Sequence, residues 1–172
     1  MLKLTGAILI IGTSSMIGFM LAERLKERCR LLRVLIRLLN ILKTEINYRS
    51  GLLAEVFTRA ARVVGDGKIG GYLRRIAVNS EYGSDYNFVE LWDGFLHEKG
   101  MAPLSEEDIE ILKELGNYLG CTGREDQLQK IAIAQARLES NLEAADQDQT
   151  RLVRLYRYFG FAAGAVLVCL LL

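Results

Sequence analysis

Two uncharged apolar stretches bracket the chain, residues 4–22 and 158–172, and every charged side chain except Lys3 lies between them. A fold for this chain must take both stretches out of water. A bilayer core is about 30 Å thick and a helix rises about 1.5 Å per residue, so a span needs roughly 20 apolar residues. Residues 4–22 meet that length. Residues 158–172 make a helix of only about 22 Å and need Tyr156 and Tyr158 at one interface, with local thinning, to cross. The pattern predicts transmembrane segments at 1–22 and 158–172 around a helical domain at 23–157.

The formal net charge of +1, from 22 basic and 21 acidic side chains, speaks for no nucleic-acid partner. The placement of charge is more informative. Arg24, Lys26, Arg28, Arg30, Arg33 and Arg37 follow the first apolar stretch against only Glu23 and Glu27, and Arg151, Arg154 and Arg157 precede the second. Basic flanks stay on the cytoplasmic side of a membrane. The expected topology is a hairpin with both termini outside and residues 23–157 in the cytoplasm. Arg24, Lys26, Arg28, Arg30, Arg151, Arg154 and Arg157 are then candidates for contact with anionic headgroups, each adding up to about 1 kcal/mol; a protein-docking role is the other reading of the basic run. Gly6, Gly12 and Gly18 in the first stretch, and Gly160 with Gly164 in the second, are the candidate sites of close helix packing in the bilayer.

A cleavable secretory signal is the alternative reading of the N-terminus. Against it, residues 18–22 offer no small-x-small cleavage site, and the basic run that follows resists translocation. Cys29, Cys121 and Cys169 are odd in number and widely spaced, so they suggest neither a disulfide framework nor a metal site, and they suit a reducing cytoplasm.

Between the flanks the apolar period is helical, and no alternating strand pattern of useful length occurs. The first helix runs to about Arg49 with Leu25, Leu32, Leu35, Leu39, Leu42 and Ile46 on heptad positions a and d. After a turn at Ser50 and Gly51, a second helix carries Leu53, Val56, Phe57, Ala60 and Val64, and a shorter third carries Ile69, Tyr72, Leu73 and Ile76. A fourth starts near Asp85 as N-cap and buries Phe88, Leu91, Trp92 and Phe95. The fifth has the clearest start: Ser105 with Asp108 forms a capping box, Pro103 stands just outside, Ile109, Leu112, Leu115 and Leu119 make the buried stripe, and Gly120 ends it. The last opens after Gly123 and keeps a seven-residue rhythm through Leu128, Ile131, Leu138, Leu142, Ala145, Leu152 and Tyr156 into the terminal stretch, for about 45 residues. The expected fold class is all-α, an antiparallel bundle of about six helices whose first and last members are neighbours.

Gly65, Gly67 and Gly70 satisfy G-x-G-x-x-G, but that motif needs a buried strand delivering the loop to a helix. Here a helix-period segment precedes it, so an interhelical turn is expected. It is no Walker loop either, because Ile69 follows Lys68 where Ser or Thr binds magnesium. His97 is the only histidine. Acid-base work by His97 with Glu90 or Asp93 defines one alternative, a membrane-anchored enzyme; surface hydrogen bonding is the plainer reading. No catalytic, cofactor or metal site is expected. Glu106, Glu107, Asp108 and Glu110 cluster where a helix N-terminus favours negative charge. They read as a solvated cap, or as an acidic docking patch for a basic partner at the end of the bundle far from the membrane.

The residues resemble the stage III sporulation protein AB family of endospore-forming bacteria over essentially the whole chain. The likeness is carried by Met1-Leu2-Lys3-Leu4-x-Gly6-Ala7, the Glu23-Arg24 exit, the leucine ladder into Glu45-Ile46-Asn47-Tyr48, and Leu52-x-x-Glu55-Val56. It continues in Leu112-x-x-Leu115-Gly116-x-x-Leu119-Gly120, Asp126-Gln127, Leu138-Glu139, Ala144-Ala145, and Tyr156 leading through Gly160 and Gly164 to an apolar end. The resemblance implies a component of an export apparatus between mother cell and forespore, located in the mother-cell membrane facing the forespore. It implies a partner ATPase, stage III sporulation protein AA, and other proteins of that complex. It also implies a helical domain similar to the platform proteins of type II secretion and type IV pilus systems. A homo-oligomer is compatible with this, as is a purely structural membrane spacer, the second alternative to an adaptor.

Overall fold

The computed structural model describes residues 2–48, 53–65, 67–81 and 88–171, with side chains described at 16, 20, 23–48, 54–65, 67, 69–79 and 88–151. Among these residues there are six α-helices: α1 (Leu2–Tyr48), α2 (Leu53–Val64), α3 (Lys68–Glu81), α4 (Phe88–Leu96), α5 (Glu106–Gly116) and α6 (Arg124–Leu171), with a 3-10 turn at Lys99–Met101 before α5. The all-α expectation therefore holds, and the sequence boundaries fall close to the observed ones. Asp85, the expected cap of α4, lies outside the described residues.

The chain forms two compact units. One comprises Met1–Cys29 with Glu143–Leu172, and the other Arg30–Leu142. In the second unit α1 and α6 lie side by side and antiparallel. The Arg124 guanidinium donates to Asn47 Oδ1 at 3.0 Å, and eleven residues further along α6 Gln135 Nε2 donates to Asn40 Oδ1 at 3.2 Å, so α6 advances as α1 recedes. Helix α5 is also antiparallel to α6: Glu114 accepts from Arg137 at 3.3 Å, while Asp108, earlier in α5, accepts from Asn141, later in α6.

The core of this unit is a continuous apolar stripe from each helix. Helix α1 buries Leu32, Leu35, Leu38, Leu39 and Leu42. This stripe is wider than the expected a/d seam, since Leu38 is fully buried, and Ile46 is only half-buried. Amphipathic helices that face two neighbours bury such a broad arc. Here the neighbours are α6 and α2, the latter tied by Arg59 Nε to Glu45 Oε2 at 3.1 Å. Phe57, Phe88, Trp92 and Phe95 form an aromatic cluster with ring centroids 5.4 to 6.1 Å apart. Trp92 satisfies its indole N–H within this apolar setting by donating to the Leu112 carbonyl at 2.7 Å, which joins α4 to α5.

The glycine-rich segment is the interhelical turn that its context predicts. Gly65 has φ +89°, a backbone that favours glycine, and it turns the chain from α2 into α3. Gly70 lies inside α3, where a Cβ would meet the Gly65 carbonyl oxygen at 1.8 Å and the Ala61 carbonyl oxygen at 3.4 Å. The third glycine of the motif thus lets two helices of one hairpin approach closely.

Helix α5 departs from expectation at its end. It stops at Gly116, and the chain tightens into turns with Tyr118 N donating to Leu115 O at 3.0 Å and Cys121 N to Tyr118 O at 3.3 Å. Gly120, with φ +78°, belongs to this turn. Ile111, not Ile109, completes the buried stripe with Leu112, Leu115 and Leu119.

In the first unit, Cys29 and Ala145 are buried, and Lys26 pairs with Glu23 at 3.5 Å. Among the described residues no helix is long and apolar enough to cross a membrane. The expected spans at 1–22 and 158–172 fall outside the described side chains, apart from Met16 and Met20, as do Gly6, Gly12, Gly18, Gly160 and Gly164.

Candidate partner-binding surface

The start of α5 is built by Ser105 and Asp108. Ser105 has extended backbone, its hydroxyl accepts from Asp108 N at 3.2 Å, and its own N–H donates to Asp108 Oδ2 at 2.9 Å. This is the predicted capping box. The structure adds a third bond: Asn141 Nδ2 of α6 donates to Asp108 Oδ1 at 2.8 Å. Asp108 is fully buried. It therefore leaves the expected acidic patch, because a carboxylate shut away from water serves the helix start and the α5–α6 contact, not a partner. Glu106, Glu107 and Glu110 are exposed, as expected.

The start of α5 sits beside Asn141, at the end of the second unit where α1 enters and α6 leaves. The opposite end, with Asn47, Tyr48 and Arg124, is about 25 Å away along α6 at 1.5 Å per residue. The sequence could not reveal the direction of α5, which the contacts with α6 fix as antiparallel.

Asn141 was invisible to pattern reading, although a signal existed. It stands three residues after buried Leu138 and four before buried Ala145, so a polar residue interrupts an apolar stripe where a buried acceptor waits. Gln127 plays a smaller part of the same kind, its Nε2 donating to the Thr122 carbonyl at 2.7 Å across the α5–α6 turn.

Next to the acidic side chains an open groove of about 630 Å³ is lined by Leu96, Met101, Leu104 and Ile109, with His97, Glu98 and Lys113 at its margin. His97 is 67% exposed; its Nδ1 lies 2.8 Å from the Asp93 carbonyl oxygen and 3.5 Å from Asp93 Oδ2. Lys113 reaches the other Asp93 oxygen at 3.6 Å. The ring thus hydrogen-bonds the end of α4 at the surface. Tyr72 of α3 forms a hydrogen bond with the Glu98 carboxylate, which raises its phenol above the usual value of 10.0. Among the described residues no three His, Cys, Asp or Glu side chains are arranged to hold a metal ion.

Of the expected headgroup contacts, Arg24, Lys26, Arg30 and Arg151 are exposed, and Arg28 is half-buried. The side chains of Arg154 and Arg157 lie outside the described ones.

Long helices paired antiparallel, with short helical hairpins packed on them around an apolar core in which Asp108 is the one fully buried charged side chain among the described residues, define an all-α scaffold. The chain belongs to the stage III sporulation protein AB family, whose profile matches residues 3–172. It is 28% identical to stage III sporulation protein AB of Bacillus subtilis (strain 168) over 179 residues, an alignment covering 100% of both chains. A solved structure of stage III sporulation protein AB superposes with a TM-score of 0.62 at 28% identity, covering 73% of this chain and 98% of that one. The protein is thus a sporulation protein of that family.

Proposed function

We propose that the protein is a non-enzymatic platform in endospore formation, held in the mother-cell membrane at both ends, that links a cytoplasmic ATPase to membrane components of an export complex. The observation that carries this reading is the antiparallel pairing of α1 and α6. It brings the points where α1 and α6 cross the boundary of the second unit, at Arg30 and Leu142, to one end of that unit, which supports a double anchor at 1–22 and 158–172. Basic side chains next to each stretch support a cytoplasmic position for residues 23–157, and the family supports stage III sporulation protein AA as the ATPase. The end of the second unit that carries Tyr48, 81% exposed, and Arg124 is the proposed docking end for the motor. Glu106, Glu107 and Glu110 are the other exposed candidate surface of this unit.

Two measurements test the reading. Cysteine labelling in intact cells places both termini outside and the middle inside; the reverse orientation refutes it. A bacterial two-hybrid assay pairs the full chain with the ATPase, and Tyr48→Glu lowers the signal. Capture of membrane partners but never of the ATPase favours a spacer. A membrane-anchored enzyme using His97 predicts that His97→Ala abolishes sporulation, whereas a platform predicts full efficiency.

A further inference from the structure

The second unit carries two exposed faces of opposite charge whose levels meet at Arg30. On α1, Arg30 and Arg37 are exposed and form no ion pair with any described residue. On α5, Glu106, Glu107 and Glu110 are exposed and likewise unpaired among the described residues, whereas their neighbours Lys113 and Glu114 are already matched to Asp93 and Arg137. The register fixes their levels. Asp108 pairs with Asn141, and the α1–α6 register set by Asn40 with Gln135 and Asn47 with Arg124 brings Asn141 level with residues 30–34 of α1. Glu106 and Glu110 therefore stand level with Arg30.

The same contacts place the two helices around α6. Helix α1 touches α6 at Gln135, and α5 touches it at Arg137. Two residues are about 200° apart around a helix, so α1 and α5 lie on different flanks of α6. One molecule cannot close its own acidic face onto its basic one. A neighbour standing beside it in the same orientation can.

We propose that this protein self-associates laterally and head to tail, with the α1 face of one copy, Arg30 and Arg37, against the α5 face of the next, Glu106, Glu107 and Glu110. A second copy is the favoured occupant because it supplies the complementary charge and, standing on the same membrane, presents Glu106 and Glu110 at the height of Arg30. The level match thus rests on the proposed double anchor, but the association itself needs no ATPase. An interface between different faces is heterologous, so it builds rings or rows and not closed pairs. A single exposed ion pair contributes little, and several together set register and partner choice. The groove lined by Leu104 and Ile109 borders the acidic face and offers apolar contact area.

The test uses the full chain in detergent, followed by sedimentation velocity. The wild-type protein forms oligomers that weaken as ionic strength rises from about 0.05 to about 0.5 M. Arg30→Glu with Arg37→Glu, and separately Glu106→Arg with Glu110→Arg, each weaken association at least tenfold. Mixing these two variants restores complexes, and so does combining all four changes in one chain. Circular dichroism of each variant checks that the helices remain. Association that is unchanged by either reversal, or that fails to recover on mixing, overturns the proposal. Vesicles with and without anionic lipid give the last arm: if the arginine reversal abolishes vesicle binding and leaves the oligomers intact, the α1 face serves lipid and the proposal falls. Failure of the ATPase two-hybrid signal with intact oligomers would instead overturn only the platform reading.

Discussion

Replacing Asp108 by alanine tests the buried hub that joins the start of α5 to α6. The change removes two bonds to a carboxylate, from Ser105 N at 2.9 Å and from Asn141 Nδ2 at 2.8 Å, and leaves both donors without their acceptor. Bonds to a charged group contribute about 1.5–3 kcal/mol each. Relief of the buried charge offsets part of their sum, which leaves a loss of about 3 kcal/mol. For a chain of this size each kcal/mol moves the melting midpoint by about 2–4 °C, so Asp108→Ala lowers it by about 6–12 °C. The assay is thermal unfolding of the detergent-solubilised full chain followed at 222 nm, with Glu107→Ala as the control. Glu107 is exposed, and its removal stays within about 0.5 kcal/mol. Equal midpoints for the two variants would refute the placement of Asp108. Asn141→Ala gives a second check, since it removes one of the two bonds and costs less than Asp108→Ala.

Gly70→Ala places a methyl group 1.8 Å from the Gly65 carbonyl oxygen. Backbone must shift to admit it, so the variant loses about 2–3 kcal/mol and melts at a clearly lower temperature. Trp92→Phe leaves the Leu112 carbonyl without its 2.7 Å donor and shortens a fully buried side chain; the expected cost is about 2–3 kcal/mol in urea unfolding, with α4 and α5 less protected in hydrogen exchange. Tyr72 links α3 to Glu98, and the raised phenol means the neutral form is favoured in the folded protein. Its stabilising effect is complete below the unfolded value near 10 and fades as pH climbs through the higher folded value. Phenolate absorbance at 295 nm in a pH titration therefore loses a component that ionises above 10 in Tyr72→Phe, and an unchanged curve counts against the Glu98 bond.

The parts of this fold legible in the sequence are those governed by neighbours along the chain. Ser105 and Asp108 are three residues apart, so the cap of α5 could be read directly, and the helical period of Val56, Phe57 and Ala60 correctly places them in the core. What required the structure is set by residues distant in sequence. The second role of Asp108 depends on Asn141, 33 positions away, and without it an acidic cluster at a helix start looks uniformly solvated. The direction of α5 against α6 was equally hidden, because an apolar stripe specifies which face is buried and not which way the helix points. Leu38 joined the core for a similar reason: an a/d seam assumes one partner, and α1 has two.

The spacing of Gly65, Gly67 and Gly70 suggests how a nucleotide loop and a tight helical hairpin, alike on paper, are told apart at the bench. In a phosphate cradle the middle glycine is indispensable, since the ligand must touch the main chain there. In this hairpin the order of sensitivity is inverted. Gly67 has open space around it and no positive φ, so it accepts alanine, whereas Gly70 rejects even one methyl group. A three-member alanine scan would expose that inverted profile, and the same scan would sort other chains in which this glycine pattern occurs between helices.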